Sequence, residues 1–273
     1  MTDPTSLVFL VLALLATGAF SGFLAGLLGV GGGIVIVPVL FHVFSIFSVD
    51  PSIRMQVAVG TSLATIIPTA MVSARTHWRK GGVDQALLRR LAPMVFVGVV
   101  IGTLLAGAVS GQALTAVFAT VALLVSVNMA IGQGAITIGK QLPGRVGVGA
   151  MGTVIGTISA MMGIGGGTLT VPLLSLFSYP IRTAVGTAAA LGLVISIPGA
   201  IGFVLTGHGQ AALPPFSFGY VDWAGFLAIV PTSIFMAPWG ARAAHAISRV
   251  WLSRAFAFFL AATSLKMFWS LMH

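Results

Sequence analysis

Two runs of three glycines are where this chain can do chemistry. Gly31, Gly32 and Gly33 are followed by Pro38, and Gly165, Gly166 and Gly167 by Pro172. Three consecutive glycines make poor helix and bring no side chain to pack. A glycine-rich break that opens into a short helix presents free backbone N–H groups and the positive end of the helix dipole. Such an end suits an anion. Two of them facing each other form a compact, neutral cage for a small oxyanion. Hydroxyl donors stand nearby in sequence: Thr168 directly after the second triplet, and Thr61, Ser62 and Thr187 on later segments. Arg54 and Arg182 open matching segments. A guanidinium there either grips an oxyanion through two parallel hydrogen bonds or snorkels toward the membrane surface.

Nothing else in the chain carries catalytic chemistry. There is no His-Glu-x-x-His, no Gly-x-Ser-x-Gly and no Walker loop. Glutamate is absent, and the four aspartates sit at segment ends. Asp84 and Asp222, at matching segment starts, read as helix N-caps. Cysteine is absent too, which removes disulfides, zinc–thiolate sites and thiol chemistry. The sequence thus predicts no enzyme, no catalytic residue, no metal and no cofactor. His42 reads as a hydrogen-bonded wall residue, and Lys266 as a residue that snorkels outward.

The elements that position the glycines are membrane segments. Of 273 residues, 58% are apolar, 6% are charged, and the mean hydropathy is +1.10. So few charges cannot cover a soluble globule of this size, so the composition predicts an all-α integral membrane protein. The net charge of +9 comes from Lys and Arg scattered at segment ends, which reports orientation rather than a nucleic-acid partner. The first residues include Asp3 and there is no Lys or Arg before Arg54, so the first apolar run reads as mature structure rather than a cleavable signal.

The chain is also duplicated. Gly22, Gly29, Gly31, Gly32, Gly33 and Pro38 recur 134 positions later. Ala58-Val59-Gly60-Thr61 recurs as Ala184-Val185-Gly186-Thr187 at a spacing of 126. Val83-Asp84, Pro93, Gly102 and Phe118 recur at 138. The expected organisation is a first repeat over 1–132, a cytoplasmic linker over 133–145 and a second repeat over 146–273. Each repeat has five apolar segments, at 6–30, 33–48, 54–77, 85–107 and 112–132, then 146–164, 167–179, 182–206, 222–242 and 249–272. The second segment of each is too short to span a bilayer, which predicts a helix broken at the triplet. Gly22-xxx-Gly26, Gly98-xxx-Gly102 and Gly152-xxx-Gly156 read as close helix packing, and small-residue faces of this kind also allow a homodimer.

Basic residues alternate between the repeats. Arg75, Arg79 and Lys80 lie between the third and fourth segments of the first repeat, with Arg89 and Arg90 just beyond. Arg242, Arg249 and Arg254 lie between the fourth and fifth of the second. The positive-inside rule then sets the two repeats in opposite orientations, with both termini outside. Inverted repeats with interrupted helices point to a secondary transporter whose site lies at the paired breaks.

At these motifs the chain resembles the TauE/SafE sulfite exporter family. The resemblance rests on Gly22 to Gly33 with Pro38, Gly163 to Gly167 with Pro172, and the Ala-Val-Gly-Thr that follows each, and it covers nearly the whole chain. It implies transport of a small sulfur-containing anion such as sulfite or an organosulfonate across the inner membrane. Export by alternating access is the expected activity. A small-anion channel, an uptake carrier for sulfoacetate or thiosulfate, and a non-transporting scaffold are the alternatives.

Overall fold

A computed structural model describes residues 4–28, 32–131, 138–139, 141–243 and 249–272. Gly31 lies outside the described residues, as do 133–137 and 140 of the predicted linker. Ten helices occur among the described residues. The first five are α1 (Pro4–Leu28), α2 (Gly33–Ile46), α3 (Arg54–Arg79), α4 (Gln85–Ala108) and α5 (Gly111–Ile131). The second five are α6 (Arg145–Met162), α7 (Gly167–Ser175), α8 (Ile181–Thr206), α9 (Trp223–Ala243) and α10 (Arg249–Met272). The protein is all-α, as the composition predicts. A two-residue hairpin, β1 (Ser217–Phe218) with β2 (Val221–Asp222), interrupts the connection before α9. Strands this short carry no alternation that a sequence can display.

Six helices, namely α3, α4, α5, α6, α8 and α9, are long and apolar enough to cross a bilayer. Their outer faces present Leu104, Ile201, Leu205, Leu227 and Phe235, large apolar side chains that are all more than half exposed. In a water-soluble protein such a surface is a liability; here lipid is the solvent.

Helix ends follow local chemistry. Asp84 caps α4 by accepting from the Leu87 amide at 2.9 Å, and Asp222 accepts from the Gly225 amide at 2.6 Å. Helix α6 ends at Gly163, which takes the left-handed conformation at φ 66° and ψ 32°. The Ile164 amide reaches back to the Ser159 carbonyl at 3.0 Å and the Gly163 amide to Ala160 at 3.2 Å. This is the paired closure of a Schellman ending. The second break therefore turns at Gly163, two residues ahead of the triplet, and the last glycine of the triplet already opens α7.

Packing pairs exchange when the two sets of five helices are exchanged. Helix α1 packs on α9 as α6 packs on α4, α3 packs on α8, and α5 on α10. A Cβ on Gly22 would strike the backbone of Ser233, and one on Gly156 the backbone of Val95, so both crossings need glycine. The glycine faces that resemble dimerisation surfaces are thus occupied within the chain. Across the α5–α10 contact, the Ser126 hydroxyl donates to the Ala257 carbonyl at 2.7 Å and the Ser264 hydroxyl to that of Ala119. Both pairs keep the 138-residue register.

Candidate anion site and its access cavity

Thr69, Ser73 and Thr76 on α3 and Lys80 at its C-cap are spaced by three or four residues, with His77 beside Thr76, which puts them on one face of the helix. That face meets Ala25 and Gly26 of α1 and Ala237, Pro238 and Arg242 of α9, and together they enclose a cavity of about 260 Å³. Lys80, His77 and Arg242 bring the titratable groups of its wall, and among the described residues no carboxylate lines it. The Arg242 guanidinium lies 5.4 Å from the centre of the Trp239 ring.

Thr69 and Ser73 also line a second, narrower pocket of about 20 Å³. Its far wall is Gly165, Gly166 and Gly167 at the start of α7, together with Ala188, Ala189 and Gly192 of α8. That volume is room for about one water molecule. The inner pocket is therefore closed to a four-atom oxyanion in this conformation, while the wide cavity is open. Thr69 donates to the Ile66 carbonyl at 2.9 Å and Thr76 to that of Val72 at 2.8 Å. These bonds within the helix are weak, and a hydroxyl leaves one readily for a charged acceptor.

Gly33 of the first triplet meets Gly163 of the turn ahead of the second. A Cβ on Gly33 would run into the Gly163 carbonyl, and the Ser62 hydroxyl donates to that same carbonyl at 2.7 Å. Gly32 caps the start of α2 and packs on Ser21. Neither Gly32 nor Gly33 lines a cavity; both are buried. Thr168 is buried in the first turn of α7.

The other predicted ligands sit elsewhere. The Thr61 hydroxyl oxygen accepts from the Asp222 amide at 2.8 Å, and that of Thr187 from the Asp84 amide at 3.0 Å. A Cβ on Gly60 would strike the Tyr220 carbonyl, and one on Gly186 the Gly82 carbonyl. Each Ala-Val-Gly-Thr motif is thus the notch that seats the Val-Asp turn of the opposite repeat. Ser62, Thr61 and Thr187 hold the chain together and line neither cavity. Arg54 donates to the Val49 carbonyl at 2.8 and 3.2 Å and to Ser45 Oγ at 3.1 Å, so it closes the α2–α3 connection. Arg182 is exposed. Neither arginine lines a cavity. His42 also departs from expectation: its Nε2 is buried with no hydrogen-bond partner.

Two expected outcomes follow from the seating of these turns. Thr61→Val removes the acceptor of a buried amide, which costs about 1–3 kcal/mol. Thermal unfolding in detergent should show a clear fall in midpoint for Thr61→Val and for Thr187→Val; unchanged midpoints would deny the notch its role. The second concerns Asp84, whose carboxylate also accepts from the Tyr179 hydroxyl. That bond, with the Leu87 amide, holds the Asp84 carboxyl below its usual range, while burial pushes the Tyr179 hydroxyl up. A carboxyl whose folded pKa is depressed adds stability above its unfolded pKa of about 3.9 and loses it as pH falls toward the folded value. Tyr179→Phe should lower the unfolding midpoint at neutral pH, and the gap to the parent should close on acidification below that range. A gap that persists at acid pH would assign the loss to packing instead.

The family model described as Sulfite exporter TauE/SafE matches residues 14–267. A probable membrane transporter protein of Haemophilus influenzae is 36% identical over 95% of this chain and 98% of its own length. The probable membrane transporter protein YunE of Bacillus subtilis is 28% identical over 85% and 87%. One from Methanocaldococcus jannaschii is 25% identical over 82% and 80%. No solved structure matches. With the motif-bearing helices and nearly the full length accounted for, the chain belongs to the TauE/SafE sulfite exporter family of membrane transporters.

Proposed function

We propose that the protein exports a small sulfur-containing oxyanion, sulfite or a small organosulfonate, by alternating access across the inner membrane. The observation that carries this is a pair of adjoining pockets that share Ala25, Thr69 and Ser73. The cationic cavity of Lys80, His77 and Arg242 leads along Thr76, Ser73 and Thr69 to the glycine break at the start of α7. Cations at the mouth gather anions, and neutral donors at the inner end hold one without trapping it. Gly165, Gly166 and Gly167 form that inner end.

Orientation and direction follow from the same charges. Arg75, Arg79, Lys80, Arg89, Arg90 and Arg242 put the wide cavity on the cytoplasmic side, and both termini outside. Arg54 and Arg182 serve as supports of segment ends rather than ligands. A membrane potential negative inside drives an anion outward by about 2.3 kcal/mol per charge per 100 mV, so export needs no coupling carboxylate. Among the described residues, no Asp lines the path. Asp222 is buried at the N-terminus of α9, and burial raises its pKa.

The closed inner pocket favours a carrier over an open channel. Counterflow separates the two: proteoliposomes loaded with unlabelled sulfite should transiently accumulate labelled sulfite from outside. Simple equilibration without overshoot would replace the carrier with a channel.

A further inference from the structure

The repeat register maps every wall of the open cavity onto a second place in the fold. Shifted by 126, Thr69–Lys80 of α3 falls on Ile195–Thr206 of α8. Shifted by 138, Ala237–Arg242 of α9 falls on Val99–Leu104 of α4, and shifted by 134, Ala25 and Gly26 fall on Ser159 and Ala160 of α6. In this structure that place is shut. A Cβ on Gly202 would lie 2.8 Å from the Thr103 side chain, and one on Gly107 would lie 2.9 Å from that of Thr206. Val99, Ala160, Ile195 and Phe203 are fully buried there. Helix α4 lies against α8 along more of its length than α9 lies against α3.

Two buried hydroxyls mark the shut place. Ser159 and Ser196 are 0% exposed, and neither hydroxyl has a hydrogen-bond partner. Nearby buried hydroxyls find carbonyls, as Thr103 does at Val99 and Ser175 at Val171, although Thr170 on α7 is also buried without a partner. A buried polar group without a partner is costly and calls for an explanation. The register supplies one. Ser159 matches Ala25, which lines both the open cavity and the inner pocket, and Ser196 matches Ala70, which lines the inner pocket.

We infer that a second, outward-facing cavity opens between α4, α6 and α8, with Ser159 and Ser196 as its lining hydroxyls, and forms the release half of the anion path. This rests on the reading of the chain as an alternating-access transporter. The two mouths differ in charge. Where the open cavity has His77, Lys80 and Arg242, the matched positions carry Phe203, Thr206 and Leu104. The outer cavity therefore takes the same class of ligand, a small oxyanion, through neutral hydroxyl donors and holds it more weakly. A cationic entrance and a neutral exit suit net outward release.

The chain contains no cysteine, so single cysteines report cleanly. In oriented proteoliposomes, Ser196→Cys and Ser159→Cys should react with a membrane-impermeant maleimide from the face opposite to that which labels Ser73→Cys. They should react faster than Ala119→Cys, which is buried between α5 and α10. A cross-link in Thr103→Cys/Gly202→Cys should abolish flux, and a reductant should restore it. Silence of both serine positions while Ser73→Cys reacts would overturn the cavity, as would undiminished flux in the cross-linked protein. Labelling needs no sulfite, so it judges the cavity even if sulfite itself is not carried. Absence of flux in the unmodified protein would instead count against the proposed substrate.

Discussion

Gly166→Leu should abolish anion flux while leaving a folded protein in the membrane. Gly166 precedes the first residue of α7 and sits on α8 so closely that a Cβ would strike the Ala188 carbonyl. It would also lie 2.8 Å from the Gly192 amide. Both obstacles are helix backbone, which cannot turn aside as a side chain can. Helix α7 must lift off α8, which displaces the donors of Gly165 to Gly167 from the inner pocket. A misplacement of about 1 Å in a binding constellation costs about 100-fold in rate. Gly166→Ala places the same Cβ with no further bulk and should lose less. Flux measured against the amount of monodisperse protein checks both. A Gly166→Leu protein that transports normally would remove the break from the transport path.

The second large effect belongs to the mouth of the cavity. Lys80→Gln combined with Arg242→Gln should cut flux at low anion concentration by about 10-fold or more, the scale on which a focused cationic field raises local anion concentration. The maximum rate at saturating anion should change little, because neither side chain lines the inner pocket. Raising the ionic strength should shrink the difference, since both groups are solvent-exposed and screened within a Debye length of about 8–10 Å. Equal loss at all concentrations would mean that the pair acts in the translocation step, and no loss would deny the cavity its place on the route.

Much of this architecture is legible in the residues. Segment ends predicted from apolar runs and charges fall within a few residues of the helices for nine of the ten segments. The exception is α7, predicted over 167–179 and ending at Ser175, because the apolar run continues through Leu176 and Phe177 after the helix has stopped. The meeting of the two breaks was also legible, since paired glycine triplets in a duplicated chain have few other places to go.

The surroundings of the predicted ligands are less legible in the sequence, for a physical reason. Thr61, Ser62 and Thr187 have the right chemistry for an anion site, but a sequence shows a donor's type and not its partner. The partner of Thr61 lies 161 positions away and that of Thr187 lies 103 away. Arg54 similarly spends its guanidinium on Val49 and Ser45, a few residues upstream. The polar residues that line the two cavities carry a signal in the sequence as well. Thr69, Ser73, Thr76, His77 and Lys80 repeat at helical spacing, a polar stripe running to the basic end of an otherwise apolar helix.

The most direct test of the export path is sulfite flux in proteoliposomes with the membrane potential clamped. The account predicts saturable flux that accelerates when the anion-loaded side, facing Lys80 and Arg242, is made negative, and that disappears in Gly166→Leu. Folded protein that carries no sulfite at any potential, or flux that ignores the potential and survives Gly166→Leu, would contradict it.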